Sequence, residues 1–368
     1  MLSRGTTHLN PDVLAVAGKR VGTAVLIVLI SFALGEAALR LFDRVHPSFV
    51  FHDDSYNRFR VKPGSDFYGF PVNSLGFLDT EFSKPDGGSF RVVALGDSFA
   101  FGAVPYDNNY LTLLEQHLDR PDQRVEVFNM GIPRTAPADY LSLLVNEGLA
   151  LEPNLVLVSF YIGNDLLETH QSLHRGRPIQ ERSHLISLLR FALRLRETAE
   201  WGVIHKRRRY SDDAPTFSRP TYIKILGGRA NVYTVGWEGL EDSVNAAVDA
   251  IKRMADLCQR RTVPLVVVLI PEETQLDPEL QAALPPTYLI SREGTMDFQQ
   301  PNRILGGRLD VAGIPYLDLY PAFAAATPIQ RLYKPFDTHW NIAGNCLAAE
   351  QIADFLVARK LVGEVDPR

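Results

Sequence analysis

A serine, a histidine and a carboxylate stand among four short polar clusters along this chain. The first cluster is Gly96-Asp97-Ser98, directly after an apolar run at 91–95. A serine hydroxyl is a weak nucleophile until a base takes its proton and a third group orients that base. A base and an orienting group occur together near the C-terminus, in Phe336-Asp337-Thr338-His339-Trp340-Asn341. Two more clusters offer donors to a developing oxyanion. Asn129-Met130-Gly131 ends in a glycine, which lets a ligand approach the backbone N–H closely, and Gly163-Asn164-Asp165 offers a side-chain amide. Ser98 N–H, Gly131 N–H and the Asn164 amide would together make a three-donor oxyanion hole. The chemistry within reach of such a set is displacement at an acyl carbon, with Ser98 as nucleophile and His339 as base. Taken singly, Ser98, Asn164-Asp165 and Asp337 would each also suit a helix cap.

The elements that must position these groups follow an alternating rhythm. Apolar runs at 91–95, 125–129, 155–161 and 265–270 predict buried strands, with a fifth at 316–319. Helical spacing is found at 109–118, 138–149, 243–261 and 341–356. In 243–261 it puts Val244, Val248, Ile251, Met254 and Cys258 on one face. Strands apolar on both faces, alternating with helices, predict a parallel sheet covered on both sides. Right-handed crossovers then give a doubly wound α/β sandwich. Reactive groups in such folds gather beyond the carboxyl ends of the strands, and three of the four clusters fall at such ends.

In this order, GDSF at 96–99, the glycine of NMG at 129–131, GND at 163–165 and DTHWN at 337–341 resemble the four signature blocks of the SGNH/GDSL hydrolases. The resemblance spans residues 90–358. It implies an α/β/α sandwich of flavodoxin-like topology, Ser98 as nucleophile, Asp337 and His339 completing a triad, and Gly131 and Asn164 as oxyanion donors. No cofactor or metal is implied. The layout is similar to that of envelope proteins of this family that carry an N-terminal anchor and act on acylated polysaccharides. The implied activity is that of a serine esterase or O-acyltransferase working through an acyl-enzyme on acyl, foremost acetyl, groups of extracytoplasmic carbohydrate. A lipid esterase or thioesterase would use the same blocks, and a polysaccharide-binding scaffold without turnover is the non-enzymatic alternative. Polysaccharide-assembly proteins are the partners such a layout suggests. One departure stands out: the commonest family spacing puts the aspartate three residues before the histidine, whereas Asp337 lies two before His339 and Phe336 holds the third position.

The N-terminus adds a location. Between Arg20 and Arg40 the chain reads VGTAVLIVLISFALGEAAL, apolar except for Glu36. A spanning helix needs about 20 residues, and Arg4, Lys19 and Arg20 on the N-terminal side favour an N-in orientation. Ala33-Leu34-Gly35 also offers the small residues of a signal-peptide cleavage site. Either reading puts the body of the protein on the periplasmic or cell-surface side. The expected organisation is a cytoplasmic tail at 1–20, an anchor or signal peptide at 21–42, and an extended aromatic-rich segment at 43–90 packed on the domain. A catalytic domain at 91–358 and a tail at 359–368 complete it.

Within that domain an insertion at 166–235 carries thirteen Lys/Arg against six Asp/Glu and includes the basic run Lys206–Arg209. It is expected to cap one end of the sheet. The chain as a whole, 368 residues with 46% hydrophobic residues and a net charge of −5, has ordinary globular composition and gives no reason to expect nucleic acid. Cys258 and Cys346 belong to no C-x-x-C pair, so they are two core residues or one disulfide. His170 and His174 have the i, i+4 spacing of metal ligands but no acidic or cysteine partner nearby, and are expected on a solvated basic face.

Overall fold

The computed structural model describes residues 11–45, 61, 63–85, 87–174, 183–192, 209–284 and 295–362. It divides into two compact units. One combines Met1–Phe51 with Arg177–Leu195; the other combines His52–Gly176 with Arg196–Arg368.

The strands are β1 (Asp66–Phe67), β2 (Phe70–Pro71), β3 (Ser89–Gly96), β4 (Arg124–Gly131), β5 (Leu155–Tyr161), β6 (Leu265–Ile270) and β7 (Tyr316–Asp318). The helices are α1 (Pro11–Val45), α2 (Ser98–Phe101), α3 (Tyr110–Leu118), α4 (Pro137–Asn146), α5 (Asp165–His174), α6 (His184–Ala192), α7 (Arg219–Arg229), α8 (Glu238–Gln259), α9 (Glu273–Leu276), α10 (Pro278–Ala283), α11 (Gln300–Ala312), α12 (Tyr320–Ala326) and α13 (Ile342–Ala358).

In the smaller unit α1 contacts α6. The stretch Gly18–Val45 of α1 has a mean hydropathy of 2.1 and none of its apolar window is buried, so it is long and apolar enough to cross a membrane. The helix runs without interruption through Ala33-Leu34-Gly35.

The larger unit is built on a five-stranded sheet in the order β4-β3-β5-β6-β7, with all pairs parallel. Every residue of β3, β5 and β6 is buried. That is why these strands read as unbroken apolar runs: helices cover both faces. Val92 and Ala94 of β3 join the core that α3 and α13 close, with Leu111, Leu114, Ile352 and Leu356. Helices α4 and α5 pack on α8, as does α11. The α8 residues picked out by their spacing, Val244, Val248, Ile251, Met254 and Cys258, are all buried. In chain order the five strands run 2-1-3-4-5, so the direction of winding reverses beside β3, where such folds open a crevice.

Ahead of the sheet, β1 and β2 form a small antiparallel ladder. Val61, Phe67, Val72 and Leu78 bury themselves there against Phe101 of α2. Buried Asp79 accepts hydrogen bonds from the Asn129 N–H (2.8 Å) and the Tyr106 hydroxyl (2.9 Å). Burial pushes its carboxyl up to about 7.

One expectation is corrected here: His170 does not lie on a solvated face, since its ring packs on Trp237 with centroids 5.0 Å apart. Both cysteines are free, as in the reading without a disulfide, Cys258 in the core and Cys346 half-buried on α13. Of the insertion, the part around α6 falls in the smaller unit. Of the basic run, Lys206, Arg207 and Arg208 lie outside the described residues.

Candidate active site

Strand β3 ends at Gly96, and the chain turns at once into α2. Asp97, not Ser98, caps this helix: its Oδ1 accepts the Phe99 N–H at 2.9 Å. That leaves Ser98 as the first helical residue, half-buried, with its hydroxyl free for other work. The Ser98 hydroxyl meets His339 Nε2 at 2.8 Å and lies 3.4 Å from Asp97 Oδ2. The shorter contact and better acceptor is the imidazole. His339 Nδ1 lies 2.7 Å from Asp337 Oδ1, which also accepts the main-chain N–H of His339 at 3.1 Å. With Asp337 ionised, Nδ1 keeps its proton and Nε2 is left to accept one from Ser98.

The short spacing of Asp337 and His339 has a backbone cause. Tyr333 and Trp340 form an antiparallel bridge, and the Lys334 N–H donates to the His339 carbonyl at 3.0 Å. Residues 334–339 are therefore a closed loop, and Phe336 turns it with φ of 49°, in the left-handed region. Turning there brings Asp337 back over the His339 ring. Asp337 does not cap α13; Asn341 does, accepting the Gly344 N–H at 2.9 Å. Trp340 is buried against Phe99, Tyr110 and Phe323, at centroid distances of 4.9, 5.6 and 5.0 Å. Phe99, next to the serine, also lies 5.1 Å from the His339 ring, so one aromatic packs both partners.

Asp337 sits in a pocket of donors. Burial by itself raises its carboxyl, but His339 beside it and hydrogen bonds from His339 and Thr216 outweigh this and hold it at about 2. Thr216 is the residue the sequence did not reveal. Its hydroxyl donates to Asp337 Oδ2. The Thr216 and Phe217 N–H groups donate to the carbonyls of Pro335 (3.2 Å) and Phe336 (3.1 Å). The stretch 210–217 thus straps the loop from outside, helped by Lys334 Nζ to the Ser211 carbonyl at 2.8 Å and the Ile342 N–H to Asp212 Oδ1 at 3.1 Å. No local signal marks Thr216: it lies 121 residues before Asp337, in irregular chain.

The two remaining clusters flank Ser98. Gly131 pairs with Gly96 in the ladder. A Cβ on it would fall 2.2 Å from the Phe101 nitrogen and 2.6 Å from the Ala100 carbonyl carbon, so this glycine is required by the approach of α2. Its N–H is not idle: it donates to Asn129 Oδ1 at 2.9 Å, while Asn129 Nδ2 donates to the Ala100 carbonyl at 2.7 Å. Asn129 therefore pins α2 to β4, and Gly131 can serve an oxyanion only by sharing this donor.

Asn164 follows β5, held by Asp165, whose Oδ2 accepts the Tyr140 hydroxyl (3.0 Å) and the Tyr161 N–H (3.2 Å). The Asn164 amide lies close enough to Asp97 to favour that carboxylate, whose burial otherwise pushes it up. Asn164 Nδ2 donates to Glu168 Oε1 at 3.3 Å, a long bond that a stronger acceptor could displace. Burial, with Asp97 and Asp139 adding to it, pushes Glu168 up to about 8. Further round the crevice, Arg229 pairs with buried Glu272 at 3.3 Å and donates to the Tyr161 hydroxyl at 3.0 Å. Among the described residues no cluster of His, Cys, Asp and Glu could hold a metal ion.

Residues 236–368, which contain Asp337 and His339, match a family model described as SGNH hydrolase-like domain, acetyltransferase AlgX. No curated protein matches in sequence. Among solved structures, the acetyl xylan esterase AlAXEase is 13% identical, with 72% of this chain and 99% of that chain covered and a TM-score of 0.42. A lipase/acylhydrolase from Enterococcus faecalis is 13% identical over 73% of this chain and 96% of that one, with a TM-score of 0.37. A two-domain esterase active on acetylated mannans is 15% identical, covering 77% of this chain and 52% of that one, with a TM-score of 0.38. On a parallel sheet of order 2-1-3-4-5, the part of the chain at 236–368, which carries Asp337 and His339, is thus similar to an SGNH hydrolase-like domain.

Proposed function

We propose that the protein is a membrane-anchored serine esterase or O-acyltransferase that removes or moves acyl groups, foremost acetyl, on extracytoplasmic carbohydrate. The observation that carries this reading is the unbroken relay from Ser98 through His339 to Asp337, with contacts of 2.8 and 2.7 Å. Ser98 Oγ attacks the ester carbonyl carbon while His339 Nε2 takes its proton. The carbonyl oxygen, now negative, is held by the Ser98 N–H and the Asn164 amide, with the Gly131 N–H shared from Asn129. Collapse breaks the bond to the alcohol oxygen, which leaves with the proton from His339. Water or a sugar hydroxyl then gives its proton to His339 and attacks the acyl-serine, and the serine is restored.

The choice of carbohydrate acetyl esters is supported by the description of the matching family. A membrane anchor is supported by Gly18–Val45 of α1, which is long and apolar enough to cross a membrane. Alkaline phosphatase fused after residue 90 should be active in cells; an inactive fusion, with a cytoplasmic reporter fluorescent at the same site, would refute the orientation. Acetylated polysaccharides given to the purified chain, with and without acceptor glycans, should yield free acetate or a heavier acceptor by mass. Neither product from any acetylated glycan, with turnover of a lipid ester or thioester, would reassign the substrate.

A further inference from the structure

Glu36 interrupts the apolar part of α1. Exposed apolar side chains run from Val21 to Leu34 and resume at Leu41 and Phe42. A span of about 20 residues counted from Val21 ends near Leu41, which leaves Glu36 roughly 7 Å inside it. A carboxylate at that depth is costly unless it is paired. It is paired by a second helix. Its two oxygens accept the Ser183 hydroxyl (2.8 Å), the His184 N–H (3.0 Å) and the Leu185 N–H (3.0 Å), and Arg40 Nε donates to it at 2.8 Å. The two backbone donors are the first of α6, so Glu36 satisfies the start of that helix. His184 Nε2 also reaches Asp43 Oδ2 at 3.2 Å. Leu185 packs towards Gly35 of α1.

Helix α6 therefore starts at the depth of Glu36. Its sequence, HLISLLRFA, is mainly apolar. Ser187 is buried, whereas Leu188 and Leu189 are exposed. These leucines follow His184 by four and five residues, about 6–7.5 Å along the helix axis. With α6 running along the bilayer surface they stay near the depth of Glu36, within the headgroup–acyl boundary, about 5–10 Å deep, where amphipathic helices lie. We infer that α6 is a lipid-surface helix, latched to α1 by Glu36, that sets Leu188 and Leu189 into the outer boundary of the bilayer. The latch converts an unfavourable carboxylate in the span into the fixing point of a second membrane contact. This inference rests on α1 being an anchor.

The test uses the full chain, reconstituted in phosphatidylethanolamine–phosphatidylglycerol vesicles, with a benzophenone amino acid in place of Leu189 or, as a control, of exposed Val311 on α11. Irradiation should give lipid adducts at 189 and none at 311. Glu36→Ala should lose most of the adduct at 189 while the chain stays with the vesicles after an alkaline wash and keeps its circular dichroism spectrum. Chain retained in the vesicles but unlabelled at 189 would overturn the inference and leave the anchor standing. Chain released by the wash would overturn the anchor and the inference with it. Full labelling at 189 in Glu36→Ala would overturn the latch.

Discussion

Asparagine at position 337 keeps the shape of the side chain and removes its charge. In the folded chain the Asp337 carboxylate accepts from the His339 ring and the His339 N–H through Oδ1, and from Thr216 through Oδ2. Either the amide oxygen takes the place of Oδ1, which keeps both His339 bonds and turns the NH₂ to the Thr216 hydroxyl, or the amide flips and its NH₂ faces His339 Nδ1 and the main-chain N–H. An NH₂ facing Nδ1 selects the tautomer with the proton on Nε2, which cannot take the proton of Ser98. The same error in other triads costs about 10⁴ in kcat, roughly 5.5 kcal/mol of barrier. Loss of a helix cap would instead cost only about 1 kcal/mol, and in stability rather than rate.

Stability should also respond through the charge. A carboxyl held at about 2 when folded and near 3.9 when unfolded contributes on the order of 2 kcal/mol. Its folded-state pKa is lowered, so the contribution is complete above about pH 4 and is lost as pH falls through about 2. The expected outcome for Asp337→Asn is a kcat on nitrophenyl acetate about 10⁴ below that of the parent, and urea melts that converge with the parent's at acid pH. A variant that keeps kcat within about tenfold and loses only stability would refute the triad assignment and leave Asp337 as a loop brace.

Ser98→Ala should lower turnover by about 10⁴ to 10⁶, with Ser98→Ala plus His339→Ala little worse, and a fluorophosphonate should add mass only to the peptide with Ser98; labelling of another serine would move the chemistry elsewhere. Asn164→Ala should cost about 10² to 10³ in kcat with KM little changed, as for one oxyanion donor. Gly131→Ala should cost about 3 kcal/mol or more in a denaturant melt, because the new methyl meets backbone rather than a movable side chain. Thr216→Val removes a hydrogen bond to a charged group and should cut kcat about tenfold while shifting the acid limb of the pH profile upward. Thr216→Ser should restore both, which a loss of packing alone would not explain.

How much of this was legible in the sequence depended on whether a signal was local. Strands β3, β5 and β6 are buried on both faces, so an unbroken apolar run is their own signature. The long helix α8 declares itself by its 3.6-residue stripe. Helix α11 does not: it contains Pro301, Gly306 and Gly307, and Gly306 is there because a Cβ would fall 2.7 Å from the Tyr316 hydroxyl. That is a tertiary reason with no local trace. The same division runs through the site. Residue types at strand ends pointed to Ser98, Gly131 and Asn164, since reactive groups must sit where a parallel sheet opens, and the short polar cluster before the last helix pointed to Asp337 and His339.

Only the folded chain decides which neighbour caps and which reacts. Asp97 takes the Phe99 N–H, and this frees Ser98. The left-handed turn at Phe336 makes a two-residue spacing reach from Asp337 to His339. Asn129, rather than open space, holds the Gly131 N–H, and a threonine 121 residues away holds the carboxylate. A sequence specifies the groups because chemistry limits which side chains can do the work. Their hydrogen-bond partners are set by where a single proton or lone pair goes when several candidates are within reach, and that competition is resolved by packing across the whole domain.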